Sequence, residues 1–188
     1  MKKFLMFALV AMFAGAAMAQ AVSWIGNGAV YVVEEDTWYN AGANWGAGGS
    51  FDTHDFGVLT SWNLTLGGQA QTWWDDSASH PATTVEMGYE VDATGANYVS
   101  LPWLSYASNN DTWENMTGEN VVATSGVGAG NHTVDVWFHA NDGVNDVWES
   151  NGGNNYVASF ATAIPEPATM SLLGLGALAM VLRRKMSK

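Results

Sequence analysis

The chain has 188 residues, of which 18 are acidic and only 6 are basic, and its formal net charge is −12. No lysine or arginine lies between Lys3 and Arg183, whereas every acidic residue does. Nucleic acids, anionic lipids and phosphate groups are bound through cationic side chains, so this composition argues against proteins that bind or process them. Uncharged ligands, metal ions or no ligand at all remain.

The first 19 residues have the composition of a secretory signal peptide. Two lysines are followed by an uninterrupted run of small and apolar residues, which ends in an Ala-x-Ala pattern at residues 17–19. This order of segments is typical of a substrate of signal peptidase. We therefore expect cleavage between Ala19 and Gln20 and export of the chain across the inner membrane.

Residues 20–163 are predicted to form a single domain with the periodicity of β-strands. Residues 85–92 alternate strictly, with Val85, Met87, Tyr89 and Val91 on one face and the acidic residues on the other, which predicts a half-buried strand. Residues 132–139 alternate as well, with Val134 and Phe138 expected to point inward and Trp137 outward. Both patterns indicate sheets with one face in a core and one face in solvent.

Other short strand signals follow one another without any sustained helical period. One run includes Leu64 and Leu66 and is expected to stop at Gly67-Gly68. Clusters of Gly, Asn, Asp and Ser separate the strands and predict turns. The chain has no cysteine, so the fold must depend on its core, to which ten tryptophans contribute. Seven to ten strands in an antiparallel β-sandwich are predicted; the further candidates are residues 29–33, 98–101, 119–123 and 156–161.

A candidate sugar-binding site lies around Trp148. This tryptophan precedes a polar loop in which Asn151, Asn154 and Asn155 could pair with hydroxyl groups while the indole stacks on a sugar ring. Trp137 and Trp74 could extend the aromatic surface, because one is outward by alternation and the other follows Trp73 directly. The alternative is a simple turn at residues 151–155, with the tryptophans wedged between the two sheets.

Trp148 and the Asn-Gly-Gly-Asn-Asn-Tyr run of residues 151–156 resemble the closing stretch of starch-binding modules of bacterial amylases. In that family the tryptophan is a stacking platform, so the resemblance implies this role for Trp148. Glu149 and Ser150 depart from the family's Asp-Asn at those positions, and sugar hydrogen bonds from these two residues are therefore not implied.

The sequence predicts neither a catalytic site nor a cofactor. The four histidines are scattered, and no nucleophile elbow, zinc-binding His pair or phosphate-binding loop occurs. Residues 109–111 and 141–146 offer oxygen ligands that could hold Ca²⁺, but neither run has EF-hand spacing, and a solvated turn is the alternative reading of each.

Residues 164–188 form a predicted sorting tail. Pro165, Glu166 and Pro167 predict an extended joint, because proline breaks a helix. The uncharged residues 168–182 would form a helix of about 22 Å, shorter than the roughly 30 Å hydrocarbon core, and therefore a marginal membrane anchor. The basic cluster that follows is expected to stay in the cytoplasm; it consists of Arg183, Arg184 and Lys185.

This order of Pro-Glu-Pro, apolar segment and basic cluster resembles the PEP-CTERM sorting tail. The resemblance implies a partner protease, an exosortase, which recognises the tail and cuts near Pro-Glu-Pro. It also implies transient anchoring in the membrane, followed by the cell surface or the extracellular matrix.

Together these observations predict a non-catalytic, exported β-sandwich that binds neutral polysaccharide, such as a starch-like glucan, through exposed tryptophans. The alternative is a structural protein of the surface or matrix without a specific ligand. Nucleic acid is not expected as a partner in either case.

Overall fold

The computed structural model describes residues 22–59, 63–73, 84–122 and 126–162. The predicted signal peptide, Trp74 and the C-terminal tail lie outside these residues. The described part of the chain contains eleven β-strands and no α-helix. The strands are β1 Trp24–Val32, β2 Thr37–Ala41, β3 Asp55–Leu59, β4 Leu64–Trp73, β5 Thr84–Val91, β6 Asn97–Ser100, β7 Trp103–Ala107, β8 Asn110–Val122, β9 Gly130–Asn141, β10 Asp146–Glu149 and β11 Tyr156–Thr162.

Five strands form the first sheet, in the order β2-β1-β4-β8-β7. All four pairings are antiparallel. The β7–β8 connection turns at Ser108 and Asn109, which both have positive φ (53° and 64°), the backbone that a tight hairpin requires. The turn predicted at this point is therefore present, but β8 begins immediately after it, at Asn110.

The second sheet has the order β3-β11-β9-β5-β6. β10 also pairs with β9, through Phe138 to Asn141, while β11 pairs with the first part of β9, so that β10 and β11 follow one another along the same edge. One pairing, between β3 and β11, is parallel. The prediction of an all-β sandwich is confirmed, with this single parallel pair added. β3 reaches the second sheet by a loop from β2 in the first sheet, so no hairpin imposes an antiparallel direction.

Between the two sheets lies one apolar core. The alternation predicted for residues 85–92 and 132–139 is confirmed: Met87, Val134, Val136 and Phe138 are fully buried. Other strands contribute in the same way. Further fully buried side chains are Val22, Val30, Val32, Ala41, Phe51, Leu64, Leu66, Ala70 and Val99.

The prediction that a strand stops at Gly67-Gly68 is wrong, because β4 continues to Trp73. The pairing of β4 with β8 shifts register between Leu66 and Gly68, which marks a bulge. A Cβ atom on Gly67 would lie 2.2 Å from the carbonyl oxygen of Asn115. This glycine therefore allows the close approach of two backbones inside the sheet and does not end a strand.

Candidate functional site

The outer face of the second sheet carries a groove that brings distant parts of the chain together. In the strand register Gly88 lies opposite both Tyr98 and Trp137, and His139 lies opposite Trp148. The groove has a volume of about 270 Å³. We call it the outer groove; its lining residues are Glu90, Tyr98, Trp137, Trp148, Ser150 and Asn155.

Trp137 forms the floor of the outer groove. The alternation of β9 predicts that it points away from the core, and it does, but its side chain is only 8% exposed. It packs directly over Gly88, where no side chain occupies the space, and Tyr98 meets its ring edge-on at a centroid distance of 6.2 Å. Burial of a large ring on the solvent side of a sheet thus depends on the glycine opposite it.

Trp148 forms the wall of the outer groove and is 50% exposed. Its ring stacks on the imidazole of His139, with a centroid distance of 4.1 Å and an interplanar angle of 25°. Its Nε1–H donates a hydrogen bond of 3.2 Å to a carboxylate oxygen of Asp146. Because His139 covers one ring face, the opposite face remains available to a flat ligand.

His139 is held by a hydrogen bond through one ring nitrogen, Nε2, whereas its buried Nδ1 has no hydrogen-bond partner in the described part of the chain. Its Nε2 lies 2.5 Å from Oδ1 of Asp146, and its Nδ1 lies 3.7 Å from Oε2 of Glu86. The hydrogen bond from His139, followed by one from Asn141, lowers the pKa of Asp146. The carboxylate of Asp146 therefore holds both the imidazole and the indole stacked above it.

One residue that lines the outer groove, Glu90, is acidic. Glu90 lies opposite Asp135 in the β5–β9 register. Burial, and next the neighbouring charge of Glu90, raises the pKa of Asp135, while a hydrogen bond from Asn155 partly opposes this shift. Neither carboxylate has an ion-pair partner within the described part of the chain. The groove therefore carries uncompensated negative charge beside its aromatic rings.

The loop between β10 and β11 contains the three predicted asparagines, of which one borders the outer groove. Asn155 lines the outer groove, but the amide of Asn151 donates to the carbonyl of Asn155 and the amide of Asn154 donates to the carbonyl of Asn151. Glu149 accepts the hydroxyl of Tyr156 at 2.7 Å. Asn151, Asn154 and Glu149 thus stabilise the turn, and only Asn155 of the predicted amides borders the groove.

Three lining residues were not predicted as site residues: Glu90, Tyr98 and Ser150. The alternation of β5 places Glu90 and Gly88 on the outer face, and a glycine at an outward position of a strand is a signal that a bulky ring from a neighbouring strand lies above it. The predicted contribution of Trp74 lies outside the described residues.

The loops predicted as possible calcium ligands use their oxygens internally. Oδ1 of Asp142 accepts the backbone N–H groups of Val144 and Asn145 at 2.8 and 2.7 Å. Asp111 is fully buried and accepts Nε1–H of Trp103 at 2.7 Å. Across residues 22–59, 63–73, 84–122 and 126–162, no three or more acidic, His or Cys side chains converge as a metal site would require.

Among solved structures, the chain is similar to the CooA pilin subunit from enterotoxigenic Escherichia coli, at 11% sequence identity and a TM-score of 0.28. The match covers 63% of this chain and 94% of the pilin chain, and a likeness at this level does not bear on function. A search of curated proteins finds no match.

The comparison that bears on the destination of the protein concerns its C-terminal tail. No helix within the described ranges is long and apolar enough to cross a membrane, and the predicted segment at residues 168–182 lies beyond those ranges. Residues 163–185 match the PEP-CTERM protein-sorting motif, which confirms the resemblance found in the sequence. The chain thus carries the sorting signal of an exported protein that is processed by an exosortase and delivered to the cell surface or the extracellular space.

Proposed function

We propose that this exosortase-sorted protein is a non-catalytic polysaccharide-binding protein, and that a chain of uncharged sugars lies across the outer groove. The observation that supports the proposal is the half-exposed indole of Trp148, held on one face by His139 and bordered by polar side chains. Stacking on a sugar ring requires this arrangement: a rigid apolar surface with hydrogen-bonding groups at its edge.

The polar groups of the groove suit hydroxyl groups. Glu90 can accept hydrogen bonds from sugar hydroxyls, and Ser150 and Asn155 can both donate and accept them. The groove is somewhat smaller than the roughly 300 Å³ at which enclosed ligand pockets begin. A short stretch of a long polymer resting on the surface fits this volume better than a small molecule that must be enclosed.

The proposed route to the site of action follows from the two ends of the chain. Signal peptidase removes residues 1–19, residues 168–182 hold the exported protein in the membrane for a time, and exosortase acts near Pro165. The sandwich then meets polysaccharide at the cell surface or in the matrix.

Affinity electrophoresis tests the proposal. Full-length protein, in a detergent without a sugar headgroup, is run in native gels that contain starch or another neutral glucan. We expect retarded migration, and we expect Trp148→Ala to weaken binding by about 5- to 150-fold, because stacking of a ring on an aromatic side chain contributes about 1–3 kcal/mol.

Trp45→Ala is the matched control, since Trp45 is similarly exposed (47%) but lies in the loop after β2, in contact with Trp38. It should leave the retardation unchanged. Unchanged migration of the wild type across a panel of glycans would contradict the proposal and favour a purely structural role. Equal effects of the two tryptophan variants would contradict the assignment of the site.

A further inference from the structure

We propose that the outer groove is selective for polysaccharides that carry free amino groups, which are positively charged when protonated, over otherwise identical neutral chains. This inference rests on the proposed function: neutral chains bind in the outer groove, and chains of the same linkage that carry amino groups bind there more tightly. It follows from the combination of acidic and aromatic groups on one concave surface, in a part of the chain that has no lysine or arginine.

The first step concerns the charge of the groove. Glu90 lines it, and Asp135 lies opposite Glu90 in the sheet. The raised pKa of Asp135 reflects burial and then the repulsion between these two carboxylates. A ligand cation placed near them would relieve that repulsion, whereas a neutral sugar would not.

The second step concerns the aromatic rings. Trp137, Trp148 and Tyr98 border the same groove as Glu90. The face of an aromatic ring attracts a cation that lies within about 6 Å of its centre, and tryptophan does so most strongly. An ammonium group on a sugar would therefore gain from the rings and from the carboxylate, while the sugar ring itself stacks on Trp148.

The third step identifies the occupant as a sugar bearing an amine. A bare divalent cation is disfavoured because no cluster of three or more metal-binding side chains converges in the described part of the chain. A simple polycation would use the negative charge, but it would leave the exposed part of the Trp148 ring, which His139 does not cover, in contact with water. An amino sugar presents a flat C–H face and a positive charge on the same ring.

Three pentasaccharides with the same β-1,4 linkage separate the contributions: oligomers of glucosamine, of N-acetylglucosamine and of glucose. They differ only in the substituent at C2, which is an ammonium, an acetamide or a hydroxyl group. Binding to the full-length protein is measured by isothermal titration at about pH 5.5, where the amino groups of the glucosamine oligomer are protonated. We expect the glucosamine oligomer to bind about tenfold more tightly than the other two, with a preference that declines as salt is added.

Glu90→Gln removes the charge and keeps the shape of the side chain, so it should abolish the preference: the ratio of the affinities for the glucosamine and glucose oligomers should fall to about one. Glu114→Gln is the control: it removes one charge from β8 in the other sheet, where Glu114 accepts a hydrogen bond from Gln69 that glutamine can still accept. The preference should survive in this variant.

The outcomes separate the two proposals. If all three oligomers bind equally and Trp148→Ala weakens them all, the proposed function stands and the selectivity is wrong. If none binds in a Trp148-dependent manner, both are wrong. If oligolysine binds as tightly as the glucosamine oligomer and Trp148→Ala weakens neither, the overall charge of the protein attracts them and the selectivity is again wrong. An equal loss in Glu90→Gln and Glu114→Gln would overturn it as well.

Discussion

Replacement of Gly88 by alanine should damage the outer groove without touching any of its polar groups. An ideal Cβ atom at this position would lie 2.2 Å from both Cε2 and Nε1 of Trp137. Ordinary contacts between carbon atoms need about 3.5 Å, so the indole must move by more than about 1 Å. The ring is 8% exposed and Tyr98 packs edge-on against it, so it has little room to move.

The expected cost is that of inserting a methyl group into a well-packed site, about 1–3 kcal/mol. For a domain of this size the melting temperature should fall by roughly 3 to 12 °C. Binding of polysaccharide should weaken too, because the displaced indole enters the space in which the ligand would lie.

Thermal unfolding followed by circular dichroism measures the first effect, and the gel assay measures the second. Gly126→Ala is a suitable control, because a Cβ atom there meets nothing within 4 Å. The double variant Gly88→Ala/Trp137→Leu should lose less stability than the sum of the single changes, since removal of the ring removes the clash. A Gly88→Ala protein that melts and binds as the wild type does would refute this account of how Trp137 is buried.

Two further predictions concern hydrogen bonds of single side chains. His132 contacts Asp92 through Nδ1 (2.6 Å) and the carbonyl of Gly128 through Nε2 (2.8 Å), and the bond to Asp92 raises the pKa of His132 above its ordinary 6.5. The stability that this contact contributes is present below pH 6.5 and is lost as the pH rises through the raised pKa of His132. Thermal melts at a series of pH values should show this decline in the wild type but not in His132→Gln. An identical decline in the variant would contradict the assignment of the decline to His132. The carboxylate of Asp142 accepts three backbone N–H groups, and although burial raises its pKa, these bonds outweigh that effect and hold the pKa below 3.8. Asp142→Ala should lower the free energy of unfolding by on the order of 1 kcal/mol at neutral pH, as loss of a capping side chain does. The contribution of Asp142 to stability should decline as the pH drops through its lowered pKa. An unchanged midpoint of denaturant unfolding in Asp142→Ala would contradict this prediction.

Strands with one buried face could be predicted from the sequence, and strands without one could not. β5, β9 and β11 alternate because every second side chain enters the core. β7 is exposed along nearly its whole length, and β10 has only four residues, none of them buried, so neither gives a run of alternating apolar residues long enough to predict a strand. These two strands are specified by the neighbouring β8 and β9, with which they exchange backbone hydrogen bonds along one edge.

Half of the residues that line the outer groove could be predicted from the sequence, but their assembly could not. Trp148 and Trp137 stand out as large rings at polar or outward positions, whereas the approach of Tyr98 depends on the pairing of β5 with β6. The asparagines of the loop were ambiguous, because an amide that binds a sugar and an amide that closes a turn look the same in a sequence. Only the positions of Asn151 and Asn154 within the turn distinguish the two roles.

The position of β11 has a mechanical consequence for a protein that is handled by its C-terminal end. Any pull on the chain beyond Thr162 enters the sandwich through this strand, which is hydrogen-bonded to β3 on one edge and to β9 on the other. Because those hydrogen bonds run across the strand, a force applied along its length loads many of them at the same time and does not break them one by one. β11 should therefore resist extraction by a force at the C-terminal end, because two neighbouring strands share that force.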